Sequence, residues 1–253
     1  MKNSILITGG AKRLGSLIAQ ELCKENSIII IHYNKSEEEA NYTKNKIHEN
    51  GGKVFLIKKN IINENDSSAL IDSSLNFVKN HEIEQFTLIN NASAFIYDQG
   101  KDFNEKILDD HMHANFKIPV LLTKNLYEKI STHTLGNVIN MLDAKLFGLN
   151  PDHYTYTLSK FALLGLTKVA ALSYAPKLRV NGIAPGFTLP NPNQSDFDFK
   201  RIQELNPLLK GPDANDLINA VKFLINTESV TGENIIIDGG AHLSPQKRDA
   251  TFL

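Results

Sequence analysis

The sequence predicts an α/β protein of one domain, a doubly wound parallel sheet of about seven strands with helices on both faces. Three observations predict it. Short β-branched runs alternate with longer amphipathic segments along the whole chain, which calls for right-handed crossovers between parallel strands. The first run passes directly into a glycine-rich turn. Finally, 253 residues, 42% of them hydrophobic, suffice for one large core, and no repeat, low-complexity tract or linker-like shift in composition divides the span 1–253.

The chain opens on a strand from Ser4 to Thr8, whose Ile5-Leu6-Ile7 runs into glycines. A helix from Arg13 to Glu25 follows, then a strand from Ser27 to Tyr33 in which Ile28 to Ile31 form an unbroken apolar run, as a strand covered on both faces requires. The next helix, Glu37 to Asn50, carries acids in its first turn that suit its dipole, and Gly51-Gly52 ends it. Further strands are predicted at Val54 to Lys58, Phe86 to Asn90, Gly136 to Met141, Arg179 to Ile183 and Ile235 to Asp238. Between them lie helices at Asp66 to Asn80, Asn104 to Ile130, Tyr154 to Ala175 and Ala214 to Asn226. Pro185 to Pro192 reads as a long loop. Because ligands bind beyond the carboxyl ends of such strands, residues 185–205 are expected to form a substrate loop.

Composition narrows the function. A formal net charge of -1 gives no basic excess to neutralise nucleic-acid phosphates or to hold an anionic membrane. Cys23 is the only cysteine, which excludes an internal disulfide and a Cys-rich zinc site and fits a reducing compartment. No apolar run approaches the length of a membrane span, and the first strand begins too early to leave room for a signal peptide. The expectation is a cytoplasmic protein acting on a small molecule.

The segment Thr8-Gly9-Gly10-Ala11-Lys12-Arg13-Leu14-Gly15 joins the first strand to the first helix. Glycines there let backbone approach a dinucleotide pyrophosphate while the helix N-terminus offers unpaired N–H groups, so Gly9, Arg13 and Leu14 are expected to line the cofactor. The end of the second strand selects between nicotinamide cofactors, since an acid there binds the ribose diol of NAD. Here it reads His32-Tyr33-Asn34-Lys35-Ser36. No carboxylate repels a 2′-phosphate, and Lys35, Ser36 and Arg13 can donate to one, which predicts NADPH. The alternatives are that Lys35 is a solvated lysine and that Ser36 caps the following helix.

Tyr156 and Lys160 stand four residues apart, on one face of a helix. A phenol with an ordinary pKa near 10 is a poor acid–base group at neutral pH, whereas a neighbouring ammonium favours the phenolate. With the glycine loop upstream, this pair resembles that of the short-chain dehydrogenase/reductase family, and the resemblance extends over nearly the whole chain. Asn90-Asn91-Ala92-Ser93 matches the family's N-N-A-G segment beside the cofactor. Arg179 to Gly186 matches its segment beside the nicotinamide, which brings Pro185 and Gly186 to the cofactor, and Asp238-Gly239-Gly240 matches its last strand. The resemblance implies a Rossmann-type fold, Lys160 binding the nicotinamide ribose and lowering the Tyr156 pKa, and Asn115 holding a water of a proton relay. Asn60 stands where the family usually has an aspartate near the adenine.

Where the family carries a serine thirteen positions before the tyrosine, this chain has Asp143. An ionised carboxylate cannot donate to a substrate carbonyl, which disfavours alcohol–ketone chemistry. A carboxylic acid beside a phenol can instead supply a proton to a ring nitrogen while hydride reaches the adjacent carbon. In this the chain resembles the pteridine reductases and the bacterial dihydromonapterin and dihydrofolate reductases. That likeness implies Arg13 and Ser93 contacting a pterin or the cofactor phosphates, and Phe95 stacking on the pterin. The bland readings are Asp143 paired with Lys145, Phe95 in the core and Arg13 on phosphate alone. His111 and His113, two apart, face different sides of their helix and suggest no metal.

The predicted activity is NADPH-dependent reduction of a dihydropterin or dihydrofolate. The alternatives are a carbonyl reductase acting on a ketone such as a 3-oxoacyl thioester, and a non-catalytic NADPH sensor. Phe161 to Leu172 is apolar almost all round. A partner subunit is its simplest cover, and related enzymes imply a homotetramer; the alternative cover is the chain's own end, although Ser244 to Leu253 reads as a polar, mobile tail.

Overall fold

The computed structural model describes residues 3–25, 27–190, 195–249 and 252. Its centre is a seven-stranded parallel sheet in the order β3-β2-β1-β4-β5-β6-β7. The strands are β1 (Asn3–Thr8), β2 (Ile28–Tyr33), β3 (Lys53–Lys58), β4 (Gln85–Asn90), β5 (Leu135–Met141), β6 (Leu178–Pro185) and β7 (Asn234–Ile237). Each lies within two residues of its predicted bounds. The helices are α1 (Arg13–Leu22), α2 (Glu37–Glu49), α3 (Glu64–Val78), α4 (Glu105–Met112), α5 (Ile118–Lys129), α6 (Tyr154–Ser173), α7 (Asp196–Gln203) and α8 (Ala214–Asn226).

Alternation along the strands divides the core in two. Ile5 and Ile7 of β1, with Ile29 and Ile31 of β2, pack against α1, α2 and α8. Leu6, Ile30 and Leu88 face the other way, toward α3, α5 and α6. Both faces are buried, which is why these strands read as continuous aliphatic runs. Strand order reverses between β1 and β4, the place where a doubly wound sheet opens a crevice at its carboxyl edge.

Three expectations are corrected. The single helix predicted over Asn104 to Ile130 is two helices joined by a π turn, His113–Lys117. Pro119 lacks the N–H that an α-helix would direct to the Asn115 carbonyl, so regular bonding cannot run through this point. Within the predicted substrate loop, α7 is a helix whose N-cap Ser195 accepts from the Asp198 N–H. Asn191 and Pro192, the end of the predicted loop, lie outside the described residues. The described residues of the predicted tail are anchored: Arg248 forms an ion pair with Asp152, and Phe252 packs on Tyr97. They therefore do not cover α6, on which Val169 and Leu172 stay exposed, Leu172 by 84%. No helix among the described residues is long and apolar enough to cross a membrane.

Candidate active site

The carboxyl ends of β1, β4, β5 and β6 meet at the crevice. After β1, Gly9 adopts φ +62, and a side chain there would press on the Ala92 backbone at 3.1 Å. A Cβ on Gly15 would meet the Gly9 carbonyl at 2.6 Å and Asn91 Nδ2 at 2.7 Å. The loop after β4 holds this turn in place. Asn91 donates to the carbonyls of Thr8 and Gly9 at 2.9 and 3.2 Å, and the Asn91 and Ala92 N–H groups donate to Thr8 Oγ1. Lys12 is the N-cap of α1 and makes no side-chain cap, so no side chain closes over the N–H groups at the helix start, where Arg13 and Leu14 sit.

Arg13 itself adopts a left-handed backbone, φ 51. For a non-glycine residue that conformation costs about 1–3 kcal/mol, so the side chain has a reason to be there. Its guanidinium donates to the Pro190 carbonyl at 3.1 Å, joining the glycine turn to the segment after β6. Farther along the edge, Asn34 Nδ2 donates to Asn60 Oδ1 at 2.9 Å, which brings together two residues predicted on the cofactor. Lys35 is exposed beside them. Ser36 occupies the N-cap of α2 without a side-chain capping bond, so the capping role weighed for it is not what its hydroxyl does.

Tyr156 and Lys160 lie in the first two turns of α6, both buried. The Tyr156 hydroxyl donates to Asp143 Oδ2 at 2.7 Å. The other oxygen of Asp143 accepts the Lys145 N–H at 2.9 Å, capping a short 3-10 turn after β5. The carboxylate is thus fixed from both sides. Lys145 does not pair with it through its ammonium, which turns away to Asn150 and Asp249. Burial, and then the charge of Asp143, hold the Tyr156 phenol well above its usual range. The depression expected from Lys160 is not found: burial and Asp143 both act upward.

Lys160 Nζ donates to the Met141 carbonyl at 2.7 Å and sits 5.6 Å from the Tyr156 ring centre. Burial pulls its pKa down to about 8, against the opposing attraction of Asp143. A folded-state value below the unfolded one means the unfolded chain binds more protons, so this lysine costs stability below pH 8, and the cost fades as pH rises toward about 10.4. Lys160→Met is therefore expected to be more stable than wild type at pH 7, by up to roughly 3 kcal/mol, with the advantage shrinking by pH 10. Urea midpoints at the two pH values read this directly, and a gap that widens with pH contradicts it.

Asn115 sits in the π turn and ties the loop after β4 to α6. Its Oδ1 accepts from Ser93 Oγ at 3.0 Å and the Ala94 N–H at 2.8 Å, while Nδ2 donates to the Ala94 carbonyl and to Ser159 Oγ. All of the amide's bonding capacity is committed, so a relay water would have to be held by its main chain. Phe95 is not in the core; it is 55% exposed into the crevice, edge-on to Tyr156 at 4.7 Å. It also stacks on His153 at 4.3 Å.

Tyr156, Asp143 and Phe95 line a cavity of about 200 Å³, completed by Gly186 and Phe187 after β6 and Ile202 of α7. Gly186 lies against Asp238, where a Cβ would meet Asp238 Cα at 2.7 Å, and Asp238 in turn receives His242 Nδ1 at 2.8 Å. His111 and His113 take separate partners, Thr155 and the Ile61 carbonyl. His153, Asp152 and Arg248 at this site were not foreseen from the sequence. His153 holds a left-handed backbone, φ 51 and ψ 53, just ahead of α6, which follows from tertiary packing and not from local pattern.

A buried tyrosine and lysine one turn apart at the edge of a doubly wound sheet, facing a glycine turn, define an oxidoreductase site. The short chain dehydrogenase family model matches residues 3–200, and the chain belongs to this family. Among solved structures, FolM alternative dihydrofolate reductase 1 from Brucella canis, complexed with NADP, is 33% identical with a TM-score of 0.88, covering 97% of this chain and 96% of that one. Dihydromonapterin reductase of Citrobacter koseri is 27% identical over 94% of this chain and 96% of its own length. The 3-oxoacyl-[acyl-carrier-protein] reductase FabG of Staphylococcus aureus is 26% identical over 96% and 99%.

Proposed function

We propose that this protein is an NADPH-dependent reductase of a dihydropterin or dihydrofolate. The observation that carries the reading is the Tyr156–Asp143 hydrogen bond, which puts a carboxylate where a carbonyl reductase needs a hydroxyl donor. Likeness to a dihydrofolate reductase complexed with NADP and to a dihydromonapterin reductase supports it.

The cofactor fits the residues present. Gly9 and Gly15 have no room for side chains, the start of α1 is uncapped, and the end of β2 carries Asn34, Lys35 and Ser36 with no acid among them. Asn91, Ala92, Pro185 and Gly186 would border the nicotinamide half, and Asn60 would lie on the adenine side with Asn34. NADPH would supply the hydride. Tyr156, the protonated member of its pair, would give a proton to the ring nitrogen beside the carbon that is reduced; Asp143 orients that hydroxyl and Lys160 balances the phenolate left behind. Asn115 and Ser93 hold the loop that presents Phe95, whose exposed ring would carry the heterocycle.

The direct test is NADPH oxidation by the purified protein with dihydromonapterin, dihydrobiopterin and dihydrofolate beside a panel of ketones. Turnover of a pterin supports the reading; turnover of ketones alone, which the likeness to the 3-oxoacyl reductase would favour, replaces it. Lys35→Glu is expected to raise the Kd for NADPH by about tenfold or more while leaving NADH binding little changed, since a charge-assisted hydrogen bond contributes about 1.5–3 kcal/mol. Titration of cofactor fluorescence measures both.

A further inference from the structure

The cavity that Tyr156 lines is also lined by a segment near the C-terminus, Ser244, Pro245, Gln246, Arg248 and Asp249. That segment is anchored at three points. Asp152, whose side chain is 1% exposed, accepts Arg248 Nε at 2.8 Å and Nη2 at 2.9 Å, and the Asp249 N–H at 2.7 Å. Lys145, 9% exposed, reaches the Asp249 carboxylate at 3.4 Å. Phe252 packs on Tyr97 at 4.9 Å and on His153 at 6.3 Å, with the Arg248 guanidinium 5.2 Å above its ring.

Each anchor adjoins the reacting groups. Lys145 follows Asp143 by two residues, and Asp152 and His153 lead into the first turn of α6, which carries Tyr156. A two-pronged guanidinium on a carboxylate fixes orientation as well as adding energy, and a carboxylate this deeply buried is costly without its partner. Arg248 holds Asp152 down to about 2 against the effect of burial, so the pair stays ionised throughout the neutral range. With the segment in place the cavity measures about 200 Å³, below the range of about 300–1,000 Å³ that encloses drug-sized ligands. Its lining mixes apolar residues such as Phe187, Leu205 and Pro245 with Lys145, Asn150, His242 and Gln246, which can hydrogen-bond a short polar side chain.

We propose that the C-terminal segment is a fixed wall of the substrate pocket, latched by Arg248 on Asp152. Arg248 is then a positioning residue that sets specificity, selecting a compact fused-ring heterocycle with a short polar side chain over one with a bulky aromatic extension. The substrate class rests on the pterin reading above; the latch does not.

The experiment compares wild type, Arg248→Ala and the charge-free double variant Arg248→Ala/Asp152→Asn, which leaves no unpaired buried carboxylate if the single variant fails to fold. Backbone amide exchange over residues 244–249 is expected to be slow in wild type and fast in the variants. The KM for dihydromonapterin should rise about tenfold in the variants, at the low end of what a lost pocket contact costs, with kcat and the NADPH Kd retained. The KM for dihydrofolate should stay level or fall, so the preference between the two narrows. Exchange already fast in wild type overturns the latch, and a released segment with unchanged preference overturns the wall. Should the wild type reduce only ketones, the pterin reading fails by itself, and a compact and an extended ketone put the same question to the wall.

Discussion

Tyr156→Phe will lower kcat for the dihydropterin by about a hundredfold to ten-thousandfold, the range a positioned general acid contributes, while the Kd for NADPH stays within about twofold. The substitution removes one oxygen from a buried ring whose packing against Phe95 and His111 is otherwise kept. What disappears is the proton that the raised phenol pKa keeps in place at neutral pH. Single-turnover reduction at fixed NADPH separates the chemical step from binding. A variant that still turns over at near wild-type rate would mean that Asp143, or solvent, supplies the proton instead.

Asp143→Ser will reduce pterin turnover by about a hundredfold or more, with NADPH affinity preserved and ketone turnover raised, because a serine hydroxyl can donate to a carbonyl where a carboxylate cannot. Asp143→Asn is the control for structure: its amide oxygen can still accept the Lys145 N–H that caps the turn after β5. If the asparagine variant behaves like the serine one, charge at this position is what matters; if it behaves like wild type, geometry alone suffices. Unchanged pterin turnover in the serine variant removes Asp143 from the chemistry altogether.

The sheet was legible because each strand is a short aliphatic run that needs only its neighbours to be buried. Helix α8 matches its predicted bounds to the residue, and the structure shows a capping box of Asp213 and Asp216 at its start. The π turn between α4 and α5 was missed although Pro119 announces it, because the apolar pattern continues through it. Helix α7 was missed for the opposite reason: Asp196 to Gln203 has a polar, weakly periodic sequence, and its place is fixed by contacts such as that of Gln203 with the Phe187 carbonyl. Tyr156 and Lys160 could be located from their spacing, and Asp143 from the family resemblance. The Arg248–Asp152 pair could not, because 96 residues separate its members and neither sits in a recognisable motif.

The π turn at His113–Lys117 also limits how this chain can be shortened. Deleting one residue there would rotate α4 by about 100° relative to α5. Asn115 would then swing away from Ser93, Ala94 and Ser159, and the loop bearing Phe95 would lose its tie to α6. At this one place, then, chain length is as constrained as residue identity.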